Sequence, residues 1–260
     1  WGASGGSFDW LRFIYTMIGT LLVMASACAL NNYLDRDLDR KMSRTRHRAL
    51  PTGAVQPRVV FWYGIALGVA GFATLTVLVN PLCALLGFIG WFVYVVVYTA
   101  WLKRTSPLCT TVGSISGAMP PVIGYCAVSG VLDAGALILF AILFFWQPPH
   151  FWALGIRRKE EYRLAGFPML PVVRGTETAK MHMMRYLVML VPASLLLYIY
   201  GYTGELYLFV AAALGLAWTF LALAGFKADD ENGWAKKMYV YSINYLPVLF
   251  LVLMIDTVRI

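Results

Sequence analysis

Residues 11–30 form an apolar run with one charged member, Arg12. A helix of about 20 residues, rising 1.5 Å per residue, crosses the hydrocarbon core of a bilayer. Comparable runs recur to the end of the chain. They predict eight membrane helices at 10–34, 57–79, 82–102, 108–128, 133–157, 179–200, 206–225 and 236–257. A transmembrane barrel would alternate with period two in ten-residue segments, and this chain does not. With 60% hydrophobic and 13% charged residues, it is too apolar for a soluble domain of its length. The expected fold is all-α: one polytopic bundle over residues 1–260, around a central cavity open to lipid.

Charge sets the expected orientation. Of the 21 Lys and Arg residues, all but Arg12 and Arg259 fall in or beside the connections after the first, third, fifth and seventh helices. By the positive-inside rule those connections face the cytoplasm, and Trp1 faces the other side. The net charge of +8 is therefore a membrane signal, and no nucleic acid is expected as a partner. Single Cys replacements of Ser43, Ser106, Thr176 and Asn232 should label from the cytoplasmic side only. Replacements of Asp133 and Glu205 should label from the opposite side only. Mixed labelling would overturn the eight-helix count, because one lost helix inverts everything after it. The four native cysteines, Cys28, Cys83, Cys109 and Cys126, contain no Cys-x-x-Cys pair, which argues against a disulfide framework or a zinc site.

The first helix leads into Asn31-Asn32-Tyr33-Leu34-Asp35-Arg36-Asp37-Leu38-Asp39-Arg40. Asn31, Asp35 and Asp39 are spaced by four, and each such step drifts by only about 40° on a helix. The three side chains share one face, and Asp37 points the opposite way. Stacked acids repel unless a cation sits among them. Oxygen donors of this kind suit Mg²⁺, which also binds phosphates. Arg44 and Arg48 follow at once as candidates for diphosphate oxygens. The same pattern is also compatible with a polar face at a membrane exit flanked by arginines.

Asn-x-x-x-Asp-x-x-x-Asp, then Arg44-x-x-x-Arg48 and Leu50-Pro51-Thr52-Gly53, resembles the first aspartate-rich motif of the UbiA superfamily of intramembrane prenyltransferases. That family has nine membrane helices, so the resemblance implies that one N-terminal helix is missing from this sequence. It also implies a second aspartate-rich motif after the fifth helix. Here the sequence departs from the pattern, because Glu160 and Glu161 are adjacent and lie about 100° apart on a helix. One of them remains a candidate metal ligand, and a solvated charged loop is the alternative. Lys103 and Arg104 resemble the superfamily's further contact with diphosphate, and Arg157, Arg158 and Lys159 are expected to close the far side.

The fifth helix narrows the resemblance. It holds Trp146-Gln147-Pro148-Pro149-His150-Phe151-Trp152-Ala153-Leu154, followed by Tyr162-Arg163-Leu164-Ala165-Gly166-Phe167-Pro168-Met169-Leu170-Pro171-Val172-Val173. These are similar to motifs of the protohaem IX farnesyltransferases within the superfamily. Gln147, His150, Trp152 and Tyr162 become candidates to face haem. The two prolines are expected to interrupt the helix, and the carbonyls they free would give His150 a structural partner. The resemblance implies a Mg²⁺-dependent transfer of farnesyl from farnesyl diphosphate to a vinyl group of haem b, with water addition. It further implies a protein partner in the haem A and cytochrome oxidase assembly pathway. A bacterial plasma membrane is expected in preference to the mitochondrial inner membrane. The other readings are a prenyltransferase for a quinone precursor or another aromatic acceptor, and a small-anion transporter.

Overall fold

The structure, a computed structural model, describes residues 8–258. The expectations for Trp1 and Arg259 lie outside the described residues. Among the described residues, eight helices are long and apolar enough to span a bilayer: α1 Trp10–Asp39, α2 Pro57–Leu78, α3 Pro81–Thr105, α4 Cys109–Ser129, α5 Ala134–Arg157, α6 Gly175–Ile199, α7 Glu205–Lys227 and α8 Glu231–Ile255. The protein is an integral membrane protein of the expected all-α class. Among the described residues the only extended pairing is an isolated bridge between Thr203 and Thr257.

Local chemistry starts and stops these helices. Asp9, Asn80, Asp133 and Asp230 each accept a backbone N–H from the first turn that follows, at 2.8–3.2 Å. Gly130 ends α4 at φ +71°, a conformation that favours glycine, and its N–H reaches the Cys126 carbonyl at 3.0 Å. The chain divides into two compact units of four membrane helices. The first holds 9–131 with 160–169, and the second holds 132–159 with residues from Leu170 onward. Their first membrane helices are α1 and α5.

In the first unit, α1 and α2 approach through small residues. A Cβ at Gly71 would stand 2.8 Å from the Val23 nitrogen, and one at Gly68 would stand 2.9 Å from Ser26 Oγ. Lipid tails supply no hydrophobic drive between membrane helices, so close backbone packing of this kind holds them. Large side chains turn outward instead: Val77 is 77% exposed, as expected of a surface that meets lipid.

In the second unit, a buried Lys180 joins the starts of α6 and α8. Its ammonium meets Glu177 at 2.7 Å and Glu231 at 3.0 Å, over the Trp234 ring.

Three local expectations change. The first helix runs five residues past its predicted end, so Asp35 and Asp39 are helical and the four-residue spacing acts on a real face. Over Val93–Leu102 the backbone of α3 widens into π-helical turns, which apolar periodicity did not reveal. Pro148 and Pro149 do not interrupt α5, which is continuous from Ala134 to Arg157.

Candidate active site

The first unit gathers the polar residues of α1, the α1–α2 connection and the end of α3. Asn31, Asp35 and Asp39 are all buried on one face of α1, at 8%, 0% and 4% exposure. Asp37 points outward and pairs with Arg36 at 3.8 Å. The sequence expects repulsion between the stacked acids, and in the structure side-chain cations relieve it. Lys103 Nζ bonds Asp35 Oδ2, and Arg104 reaches Asp35 Oδ1 at 3.1 Å. Arg48 Nη1 holds Asp39 Oδ2 and Asn32 Oδ1, each at 2.8 Å.

Arg48 is brought there by a series of tight turns after α1. Its own N–H bonds the Thr45 carbonyl at 3.0 Å, and Thr45 Oγ1 donates to the Asp39 carbonyl at 3.0 Å. Arg44, in the same connection, is exposed.

The π-helical stretch of α3 matters here. Thr99 Oγ1 donates to the Tyr94 carbonyl five residues back at 2.8 Å, and accepts from Asn31 Nδ2 at 2.9 Å. Asn31 Nδ2 also donates to Asp35 Oδ2 at 3.2 Å. With its amide nitrogen so committed, Asn31 presents Oδ1 as an acceptor. Asn31, Asp35 and Asp39 thus supply a set of hard oxygen donors suited to Mg²⁺. Among the described residues no cluster of three or more His, Cys, Asp or Glu side chains could hold a metal, so any such site depends on the amide as well. Guanidinium and ammonium groups stand beside these oxygens, where phosphate oxygens would find donors.

Residues 160–169 belong to the same unit. Phe167 is buried, and its ring lies 5.0 Å from the Lys103 ammonium. The Tyr162 ring meets Phe167 edge-on at 6.2 Å. Glu160 is exposed and paired with Arg163 at 2.5 Å, while Glu161 is half-buried. Thr99 and Phe167 were not singled out in the sequence. Their contacts cross from one element to another, so spacing along one helix gives no sign of them.

The remaining candidates lie in the second unit. His150 is stacked between Trp146, at 4.6 Å, and Tyr239, at 4.8 Å. Its Nδ1 meets Ser242 Oγ at 2.7 Å, and Trp146 Nε1 donates to the Ser242 carbonyl at 3.0 Å. The expected bond to a carbonyl freed by the prolines is replaced by this link to α8. Ser242 Oγ donates its one proton to the Tyr239 carbonyl at 2.6 Å. It therefore accepts from His150 Nδ1–H, and the neutral ring carries its lone pair on Nε2. Gln147 is buried, with Nε2 on the Leu143 carbonyl at 3.0 Å. Trp152, expected to face haem, is instead 1% exposed and meets the rings of His182 and Tyr186 in T-shaped contacts, so its indole is packed within protein. Arg157 is exposed, and Arg158 and Lys159 are half-buried.

A model of the UbiA prenyltransferase family matches residues 1–246. The chain belongs to this family. Protoheme IX farnesyltransferase 1 of Bacillus velezensis is 49% identical over 253 residues, covering 97% of this chain and 80% of that one. Protoheme IX farnesyltransferase of Citrobacter koseri is 47% identical over 254 residues, covering 98% and 86%. The fold is shared with solved structures at low identity. In work on digeranylgeranylglyceryl phosphate synthase, the solved chain superimposes with a TM-score of 0.83 at 17% identity, covering 98% of this chain and 88% of that chain. A UbiA homologue from Archaeoglobus fulgidus, solved with DMAPP and Mg²⁺, superimposes at 0.74 with 18% identity, covering 97% and 92%.

Proposed function

We propose that this chain transfers the farnesyl group of farnesyl diphosphate to a vinyl group of haem b, with addition of water, giving haem O and diphosphate. The observation that carries the reading is the buried Asn31–Asp35–Asp39 face, ringed by Lys103, Arg104 and Arg48. Identity of 47–49% to protohaem IX farnesyltransferases supports the choice of acceptor. The allylic C–O bond breaks and its electron pair leaves with the diphosphate. The vinyl carbon bonds to farnesyl C1, and water supplies the hydroxyl to the remaining carbocation and releases a proton.

Mg²⁺, when bound by Asn31, Asp35 and Asp39, would take up negative charge that develops on the diphosphate. Lys103, Arg104 and Arg48 would donate to diphosphate oxygens, moving from the acids they now hold. Phe167 keeps the Lys103 ammonium in place through the face of its ring. Arg44 would add positive potential, with Glu160 or Glu161 as a further ligand. His150 would present Nε2 to haem, with Gln147 as a supporting residue. We place the active-site loops on the cytoplasmic side of a bacterial plasma membrane. A partner in cytochrome oxidase assembly would deliver or receive the haem.

The test is purified protein with haem b, farnesyl diphosphate and Mg²⁺, its haem products separated by chromatography. A hydroxyethylfarnesyl haem that requires all three is expected. Prenylation of an aromatic quinone precursor, with haem left unchanged, would overturn the proposal.

A further inference from the structure

In the second unit, α8 controls the imidazole that α5 carries. Ser242 is fully buried, and its hydroxyl stands 2.7 Å from His150 Nδ1. That hydroxyl has one proton, and the Tyr239 carbonyl, which can only accept, lies 2.6 Å away. The proton is committed to Tyr239, so the Ser242 oxygen accepts from Nδ1–H. Each bond in such a chain polarises the next, and the carbonyl makes the hydroxyl oxygen a better acceptor. Carbonyl, hydroxyl and imidazole form a directed chain that ends at Nε2.

The ring is not free to reverse this direction. Trp146 and Tyr239 stack on it, with interplanar angles of 19° and 28°. A half turn of the ring within that stack would break the bond to Ser242. The indole is itself tied to α8, because Trp146 Nε1 donates to the Ser242 carbonyl at 3.0 Å. One residue of α8 thus holds the imidazole with its side chain and the stacking indole with its backbone. His150 remains half-buried, so an edge of the ring is left for a ligand. Neutral imidazole ligates iron through the nitrogen that carries no proton, and an acceptor on the other nitrogen fixes the tautomer and raises the ligand's basicity.

We propose that Ser242 is a positioning residue for haem: it holds the Nδ1 proton of His150, so that Nε2 is kept as a basic ligand for the haem iron. This rests on the haem reading of His150 above and adds the residue that sets the ligand's tautomer and strength.

The experiment titrates haem b into purified protein by absorbance and measures the reduction potential of the bound haem, in the wild type, Ser242→Ala, Ser242→Thr and His150→Phe. Ser242→Ala leaves Nδ1–H without its acceptor, so the proton can occupy Nε2 and the ligand weakens. Haem affinity should fall about tenfold, the scale on which the outer partners of a ligating histidine act. The potential should rise, because a less basic imidazole stabilises ferric iron less. Ser242→Thr keeps a hydroxyl on the same carbon and should restore both values. Should the added methyl prevent folding, Ser242→Cys replaces it: the sulfur is a weak acceptor, and the variant should behave as Ser242→Ala does. A Ser242 that serves packing alone lowers thermal stability in Ser242→Ala and leaves the potential where it was. An unchanged potential in folded Ser242→Ala, with haem affinity lost in His150→Phe, overturns the role of Ser242 and leaves the haem reading intact. Haem affinity kept in His150→Phe overturns both.

Discussion

Asp35→Asn and Asp39→Asn should each lower haem farnesylation by about a hundredfold or more, the cost of losing a group that stabilises charge in the transition state. Asp37→Asn should change it by less than about fivefold, the size of a surface-charge effect. All three substitutions remove one negative charge within five residues, so an account based on net charge predicts similar losses. The structure separates them by direction: Asp35 and Asp39 are buried, and Asp37 points outward with a 69% exposed side chain. Asparagine retains a hydrogen-bond acceptor at each position, and the released Lys103 and Arg104 can still turn toward diphosphate. A second measurement guards against misfolding. Asp39→Asn should shift the Mg²⁺ concentration needed for half-maximal rate upward, because the metal has lost one ligand. Equal losses at all three positions, or an unchanged Mg²⁺ requirement in Asp39→Asn, would count against the metal site.

His150→Gln should accumulate normally, bind farnesyl diphosphate as before and lose haem affinity by at least about tenfold, the scale of a lost metal-site interaction. The proposed haem role of the imidazole is separable from its packing role. Its ring is held between Trp146 and Tyr239, and its Nδ1–H tethers it to Ser242 on α8. Those contacts fix which nitrogen carries the lone pair, and only Nε2 remains to meet haem iron or a polar group of haem. His150→Phe keeps a flat ring in the stack and removes both nitrogens. It should fold nearly as well as the wild type and bind haem as weakly as His150→Gln. Haem titrations followed by absorbance, beside thermal stability in detergent, separate the two jobs. If haem affinity survives in His150→Phe, the residue is there for packing alone.

Much of this protein is legible along the chain. The eight spans follow from local composition, since a bilayer demands about 20 apolar residues per crossing wherever they fall. The Asn31–Asp35–Asp39 face is equally local, because a helix turns by a constant angle and four-residue spacing aligns side chains without help from the rest of the fold. The haem-related motif around His150 is visible only as a resemblance, since no periodicity relates an imidazole beside two prolines to a substrate.

What the tertiary structure decides is partnership. No spacing rule joins Arg48 to Asp39, Lys103 and Arg104 to Asp35, or Thr99 to Asn31, residues up to 69 positions apart. Ser242 is 92 positions from His150, yet its hydroxyl determines which imidazole nitrogen carries the proton. An apolar cavity between α1, α3 and α4 is of the same kind, a volume left by three helices whose separate patterns record only that each is apolar. The physical reason is the range of the forces. Helix formation and membrane insertion are set by neighbouring residues, whereas charge neutralisation, hydrogen-bond direction and empty volume depend on what another helix brings within a few ångströms.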